Sequence, residues 1–274
     1  MRLFPPSLAW GLGLTLAALA LALFGLFWTP YDPAGMDMAA RLAQSSNAHW
    51  LGTDHFGRDL LSLLLAGMGR SLLIALSAVA LGGLIGTALG LVASVTDSRT
   101  IDIILSRLAD FVFVFPALLT ALMLATLYGP SKLNAIAAIA VFNIPVFFRL
   151  TRALVFSMLG RDFVRAARAL GRGPFGLLWV HILPGCAGVL AVQLSIQLAL
   201  ALLAEASLSY LGLGVPPPEA SLGRMLQDAQ TYMMLYPRLA LLPGALIALL
   251  VLSFNLLGDG LRDYIDPRLR QGFC

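Results

Sequence analysis

The amino-acid sequence predicts an all-α membrane protein that forms a single transmembrane domain over residues 1–274. Hydrophobic residues make up 59% of the chain and charged residues only 12%, whereas soluble proteins carry about 25% charged residues. The mean hydropathy is +0.87. Apolar stretches long enough to cross a hydrocarbon core of about 30 Å recur along the chain, with polar segments between them. Six such stretches predict six transmembrane helices.

The positions of these apolar stretches define the predicted spans. The first is interpreted as an uncleaved span rather than a signal peptide, because Arg2 is its only basic flanking residue and no small-x-small cleavage site follows it. The second is rich in glycine, which favours close helix packing. Prolines predict kinks in the third span at Pro116 and in the fourth near Pro145. The spans are residues 8–28, 71–95, 108–128, 135–156, 185–208 and 242–257.

The polar segments between the spans carry turn and capping signals. Before the second span, Asp59 or Thr53 is expected to cap a short helix that runs toward Gly67. Residues 96–107 are expected to form a short polar loop. Between the fifth and sixth spans, Gly212 and Gly214 together with the prolines at 216–218 predict a stiff, extended, exposed lip. This lip either receives a docking protein or serves only as a rigid connector.

Basic residues set the predicted orientation. The side that holds both termini and the central loop, residues 157–184, receives twice as many basic residues as the other side, so it is predicted to face the cytoplasm. The net charge of +4 does not indicate a nucleic-acid partner, because Lys132 is the only lysine and the arginines lie beside apolar spans. Cys186 and Cys274 lack disulfide or metal-binding spacing and are interpreted as free thiols.

The central loop contains the clearest candidate binding surface. On a helical wheel, four arginines of its first helix share one stripe, and small or apolar residues occupy the opposite side. The basic stripe is Arg161, Arg165, Arg168 and Arg172, and the opposite face is Phe163, Ala166, Ala167, Leu170 and Gly171. We expect this face to dock against another protein; the alternative is an interfacial helix on lipid headgroups. Gly173 and Pro174 are expected to end the helix.

Four polar residues within the spans are candidates for the translocation path or its gate. Gln193 and Gln197 lie one helical turn apart and share a face, and together with Asn143 they are expected to line the path. The alternative for these amides is hydrogen bonding between helices. Glu205 lies near the outer end of the fifth span, where it either contributes to an outer gate or forms a structural salt bridge with an arginine.

Metal binding and catalysis find little support in the sequence. His49, Asp54 and His55 suggest a metal site, but a transition metal needs several converging imidazoles or thiolates, so we expect none. The charged tail from Asp259 to Arg268 fits a structural or ATPase-contacting role better than catalysis. The sequence has no G-x-x-x-x-G-K-[ST] phosphate loop, so this chain is not expected to hydrolyse ATP or to bind a cofactor.

Several blocks of the sequence resemble ABC-importer permeases. Ala166-Ala167, Gly171 and the segment 182–184 (ILP) are similar to the EAA loop, with Arg165 at the motif's Glu position and His181 at its Ile position. HWLGTDHFGRDLLS, EASLSYLGLGVPPPEASLGRML and SFNLLGDGLRDYIDPRLR resemble blocks of the C-type subunit of the dipeptide/oligopeptide/nickel permease family. These blocks stand in the family's order and cover most of the chain from Tyr31 to Arg270.

The resemblance implies a type I ABC importer permease fold in a bacterial inner membrane. It implies a homologous second permease, two ATPase subunits that use ATP and Mg, and an extracytoplasmic substrate-binding protein as partners. It also implies that the helix in the central loop is a coupling helix seated in a groove of the ATPase. The implied coupling residues are Phe163, Arg165, Ala166, Ala167, Leu170 and Gly171. Because Arg165 stands where the motif has Glu, any role that requires the glutamate carboxylate is not expected of it. Di- or oligopeptides are the expected cargo; nickel or a metal chelate, glutathione, and a stand-alone secondary transporter are the alternatives.

Overall fold

The computed structural model describes residues 6–96, 99–115, 117–171 and 173–265. These segments contain α-helices, one 3₁₀ turn and one π-helical turn, and they form no β-strand beyond an isolated bridge. The α-helices are α1 (Pro6–Phe27), α2 (Leu60–Val95), α3 (Arg99–Val114), α4 (Ala117–Tyr128), α5 (Lys132–Leu159), α6 (Asp162–Ala169), α7 (Pro174–Leu177), α8 (Leu183–Tyr210), α9 (Leu222–Ala229) and α10 (Arg238–Ile265).

Five of these helices are long and apolar enough to cross a membrane: α1, α2, α5, α8 and α10. The bent pair of α3 and α4 makes a sixth when it is counted as one span. The all-helical membrane fold is therefore confirmed, with five spans and up to six when this bent pair is counted as one.

α2 corrects the predicted second span. The sequence predicts a short helix and a separate span from residue 71, but α2 is one continuous helix of 36 residues. Asp59 caps it as predicted, because its Oδ2 accepts a hydrogen bond from the backbone N of Ser62 at 2.9 Å. At 1.5 Å per residue, α2 is about 54 Å long, so its first turns extend beyond a core of about 30 Å. No proline interrupts residues 60–95, which explains why the helix continues.

The predicted third span was wrong in its outline. α3 begins at Arg99, inside the predicted polar loop 96–107, and the axes of α3 and α4 differ by 81°. α3 is amphipathic, so its polar residues lower the local hydropathy without preventing a helix. The predicted kink at Pro116 concerns a position outside the described residues.

The fifth and sixth spans are longer than predicted. α8 and α10 each contain 28 residues, because their polar ends continue the helix beyond the apolar centre that hydropathy detects. Pro145 and Pro243 lie inside α5 and α10 respectively.

The most extensive helix pair joins α2 to α5 along a glycine seam. A Cβ atom placed on Gly82 would lie 2.5 Å from the carbonyl O of Ala140, and one placed on Gly86 would lie 2.4 Å from that of Ile144. Any larger side chain would push the two backbones apart, which confirms the predicted close packing of the glycine-rich span.

The order of contacts along this seam shows that α2 and α5 run in the same direction. The starts of α2 and α5, the end of α8, and α9 therefore lie at one end of the bundle, called here the loop end. The ends of α2 and α5, together with α6, lie at the opposite end, called here the coupling end. α10 packs against α1 and α8 and completes the bundle.

Candidate functional site

The coupling helix predicted in the central loop is α6. Asp162 occupies its first turn, where a carboxylate interacts favourably with the helix dipole. The helix ends at Ala169, and Gly171 then adopts φ +81°, a left-handed conformation that favours glycine. The predicted stop at Gly173 and Pro174 is therefore corrected: the chain has already turned at Gly171.

The predicted docking face of α6 contains both solvent-exposed and buried residues. Leu170 is 85% exposed, and Phe163 and Ala166 are also exposed. Ala167 is only 7% exposed, because it packs beside the fully buried Val164 against this chain's own core. Ala167 therefore anchors α6 to the bundle. Its predicted place in the docking face is wrong.

The remaining predicted coupling residues lie on the surface. Arg165 is exposed on α6, and a Cβ placed on Gly171 would meet no atom within 4 Å. The side chain of Arg168 and the whole of Arg172 lie outside the described residues. The outward surface that the structure assembles consists of Phe163, Arg165, Ala166, Leu170 and Gly171.

An aromatic contact links α6 to the start of α8. The ring of Phe163 lies 6.5 Å from the ring of His181, centroid to centroid, at an interplanar angle of 62°. His181 belongs to the π-helical turn Leu178–Ile182, which leads directly into α8. α6 therefore contacts the turn that leads into α8, and it follows α5 after a short turn.

Two arginines of α5 pair with carboxylates of α3 at the surface of the bundle. Arg152 on α5 makes two hydrogen bonds to Asp102 on α3, with N–O distances of 2.6 and 2.7 Å. Arg149 contacts Asp110 at 2.7 Å and lies over the ring of Phe113. The sequence did not reveal these pairs because both carboxylates lie on α3, part of which was predicted as a loop.

The polar path candidates do not converge on an open channel within this chain. Asn143 is 3% exposed, packs against Gly82, and donates its amide to the carbonyl O of Ile139 on its own helix at 2.8 Å. Gln197 is buried on α8 and Gln193 is half-buried. Path lining by these three amides stays a prediction.

An apolar groove of about 620 Å³ opens between α2 and α8 in the half of the bundle nearer the coupling end. Its walls include Leu84 and Leu91 of α2, Phe147 of α5, Trp179 of the π-helical turn and Leu194 of α8. No charged residue lines it, and neither candidate glutamine does.

Glu205 lies inside the subunit near the loop end. Its side chain is 0% exposed, and its Oε1 accepts a hydrogen bond from the Ser209 hydroxyl at 2.7 Å. Oε2 has no hydrogen bond of standard geometry, although the hydroxyl groups of Ser71 and Ser221 also lie beside the carboxyl group. Among the described residues, the neighbours of this carboxyl group are serines and no arginine pairs with it, so the salt-bridge alternative is not seen within this chain and the gate role stays a prediction.

The loop end is held by ion pairs between the segment before α2 and the segment of α9. Arg58 contacts Asp54 at 2.7 Å and Asp228 at 3.3 Å, and Asp228 also contacts Arg224 at 3.1 Å. These contacts join two polar segments that are far apart in sequence. The lip lies beside them and completes one side of a cavity of about 140 Å³.

The two histidines of the loop end take part in packing. His49 Nδ1 lies 2.9 Å from Asp59 Oδ1, and the His55 ring stacks on Phe56 and Tyr232. Burial lowers the pKa of His55 below its usual range, because the charged imidazolium is poorly solvated there. Within the described ranges, no group of three or more His, Cys, Asp or Glu residues is placed to hold a metal ion.

The bundle of long apolar helices, with the short helix α6 at one end, is the architecture expected of a membrane permease subunit. Residues 86–271 match the family model of the binding-protein-dependent transport system inner membrane component, and the chain belongs to this family.

Two relatives illustrate the similarity along the whole chain. The glutathione transport system permease protein GsiD of Pectobacterium atrosepticum is 38% identical over 257 residues, which cover 93% of this chain and 85% of the relative. The di/tripeptide transport system permease protein DppC of Pseudomonas aeruginosa is 40% identical over 267 residues, which cover 95% and 88%.

Solved structures confirm the predicted permease fold. The chain is similar to a chain of the inward-facing MetNI methionine ABC transporter with a TM-score of 0.64 and 18% identity, over 74% of this chain and 97% of that one. It is also similar to a chain of an amino acid ABC transporter, with a TM-score of 0.56 and 20% identity, over 72% and 91%.

Proposed function

We propose that this chain is one of two permease subunits of an ABC importer that carries short peptides across a bacterial inner membrane. The observation that supports this most directly is the outward surface of α6. Phe163, Ala166 and Leu170 are exposed there, and no described segment of the chain covers them. An exposed apolar surface on a small-residue helix fits a groove in an ATPase subunit.

The proposed mechanism uses the connections of α6. The coupling end faces the cytoplasm, where two ATPase subunits bind and hydrolyse ATP with Mg. When ATP draws these subunits together, α6 moves with them and displaces α5 directly and α8 through the Phe163–His181 contact. Because the glycine seam locks α2 to α5, these helices move as one body relative to the second permease. The differential binding of the ATPase dimer supplies the driving free energy.

The proposed cargo follows from the relatives. The DppC relative of Pseudomonas aeruginosa is a di/tripeptide permease protein, which favours short peptides. Glutathione is the second candidate, because the GsiD relative of similar identity is a glutathione permease protein. In the proposed importer, the extracytoplasmic binding protein selects the cargo and delivers it at the loop end.

The composition of the importer is tested by purification through a tag on this chain from native membranes. We expect the purified complex to contain a homologous permease and two ATPase subunits. The two ATPase subunits are either two copies of one protein or two different proteins. Recovery of this chain alone, with transport activity in vesicles that lack ATP, would refute the proposal.

The cargo is tested in vesicles that contain the purified importer, its binding protein and internal ATP. We expect uptake of a labelled dipeptide, while uptake of glutathione without dipeptide uptake would establish the second candidate. Ala166→Trp should abolish ATPase recovery, because it obstructs the outward surface of α6. Ala48→Trp, at an exposed alanine of the loop end, is the matched control and should leave ATPase recovery unchanged.

A further inference from the structure

The buried carboxyl group of Glu205 is surrounded by serine hydroxyl groups from three separate segments. Ser209 lies one turn along α8, Ser71 belongs to α2, and Ser221 is the N-cap of α9. All four side chains are 0% exposed. The cluster therefore lies where α8, α2 and the lip meet.

Each of these hydroxyl oxygens also accepts a hydrogen bond from a backbone N–H group of the lip or of α9. Ser209 Oγ accepts from Val215 N at 3.4 Å. Ser71 Oγ accepts from Leu222 N at 3.2 Å, and Ser221 Oγ accepts from Arg224 N at 3.2 Å.

The chemistry of the groups explains why a carboxyl group lies at the centre. A serine hydroxyl that accepts a hydrogen bond on its oxygen still has one hydrogen to donate. A carboxylate has two oxygens and accepts several hydrogen bonds without donating any. Glu205 is therefore suited to orient all three hydroxyl groups so that their oxygens face the backbone N–H groups of the lip and α9.

The lip and α9 both pack directly on α8. A Cβ placed on Gly214 of the lip would lie 2.2 Å from Ser209 Oγ, and one placed on Gly223 of α9 would lie 2.2 Å from the carbonyl O of Ala206. Only glycine allows such a close approach at these two positions. The hydroxyl cluster is thus enclosed by backbone.

The basic residues closest in sequence to this cluster are engaged elsewhere. Arg70 contacts Glu219 at 3.6 Å, and Arg224 contacts Asp228 at 3.1 Å. A buried carboxyl group that lacks a cationic partner is costly unless hydrogen bonds compensate it. The Ser209 hydroxyl donates one such hydrogen bond to Glu205, and the hydroxyl groups of Ser71 and Ser221 lie beside the carboxyl group.

We propose that Glu205 is a positioning residue that fixes the lip and the first turn of α9 on α8 and α2. This inference rests on the proposed function, in which the lip is part of the surface that receives the binding protein. A lip that is ordered in advance loses less conformational entropy when that protein docks.

Hydrogen exchange on the purified importer in lipid nanodiscs tests the positioning role. The variants are Glu205→Gln, which replaces one acceptor oxygen by a donor amide, and Ser209→Ala, which removes one hydroxyl group. Ser207→Ala is the matched control, because Ser207 lies two residues away on α8 and donates only to its own helix, to the carbonyl O of Leu203.

We expect peptides that cover residues 211–224 to exchange about fivefold faster in Glu205→Gln and Ser209→Ala, the factor that corresponds to losing about one net hydrogen bond. The control should match the native importer. Unchanged exchange in Glu205→Gln would overturn the proposal. So would acceleration that extends equally to α5, since this would indicate a general loss of packing.

ATP hydrolysis stimulated by the binding protein distinguishes a role of Glu205 in positioning the lip from general damage to the importer. In Glu205→Gln, the concentration of binding protein for half-maximal stimulation should rise by about fivefold while the maximal rate stays unchanged. A lower maximal rate at an unchanged half-maximal concentration would contradict positioning. Faster exchange of the lip without any change in stimulation would support the role of Glu205 but refute the docking of the binding protein on the lip.

Discussion

The two ends of the bundle are built in opposite ways. At the loop end, buried ion pairs, caps and hydroxyl groups join segments that are far apart in sequence, from Asp54 to Asp228. At the coupling end, α6 has only eight residues and holds itself to the chain chiefly through Val164 and Ala167. The difference teaches that the loop end is held together by polar contacts within this chain, whereas α6 at the coupling end presents an apolar surface and has few contacts of its own.

The largest expected effect is a loss of stability when the ion pairs of Arg58 at the loop end are removed. Arg58→Ala leaves the buried carboxylate of Asp54 without its guanidinium, so the free energy of unfolding should fall by about 3 kcal/mol in a denaturant titration. Arg41→Ala is the control, because Arg41 is exposed and its contacts are with the hydroxyl and ring of Tyr232; we expect a change below about 0.5 kcal/mol. Equal effects of the two variants would contradict a loop end stabilised by its buried pairs.

The next effect concerns the coupling end. Leu170→Asp should reduce the affinity for ATPase subunits by at least about tenfold, because it places a charge in an apolar interface, and the stability of the chain itself should not change. Met234→Asp is the matched variant, since Met234 is a 90% exposed apolar residue of the loop end. ATPase recovery after purification is the measurement. Loss of recovery in Met234→Asp alone would reverse the assignment of the two ends.

A smaller effect is expected where α3 joins α5. Arg152→Ala removes the two hydrogen bonds to Asp102, and because these side chains are partly exposed, we expect a loss of about 1 kcal/mol in unfolding free energy. The exchanged pair Asp102→Arg with Arg152→Asp should recover part of this loss in a double-mutant cycle. No recovery would mean that Arg152 acts through packing on Phe156 rather than through its charge.

The smallest effect is a pH dependence at the loop end. Because burial lowers the pKa of His55 in the folded state, the unfolded state binds its proton more readily, and protonation opposes folding. Stability should therefore decline slightly as the pH falls through 6.5, the ordinary pKa of histidine, toward the lowered pKa of the folded state. Thermal unfolding of the native chain and of His55→Gln, compared between pH 7.5 and 5.5, measures this contribution. A steeper decline in His55→Gln than in the native chain would contradict it.

Patterns within one segment of sequence predicted much of this structure. The apolar spans, the Asp59 cap, the glycine seam and the short basic helix all depend on neighbours within a few residues or on one helix face. The outline of α3 was missed because its amphipathic turns resemble a polar loop in a hydropathy profile. The inward position of Ala167 was missed because the helical wheel alone does not show which side of α6 is buried. In the structure, that side is the one that carries Val164 and Ala167.

The environment of Glu205 could be predicted only in part. The spacing of Glu205 and Ser209 by four residues places them on one face of α8, so their hydrogen bond was within reach of the sequence. The approach of Ser71 and Ser221 depends on how α2 and α9 pack against α8. No local pattern in the sequence specifies that arrangement.

Hydrogen exchange of the chain with and without its ATPase subunits tests the contrast between the two ends most directly. In the chain alone, residues 160–171 should exchange rapidly and the loop-end segments slowly. Addition of the ATPase subunits should protect residues 160–171 and leave residues 42–60 and 211–229 unchanged. Protection of the loop-end segments instead, or no protection of α6, would contradict the assignment of the coupling end as the docking surface.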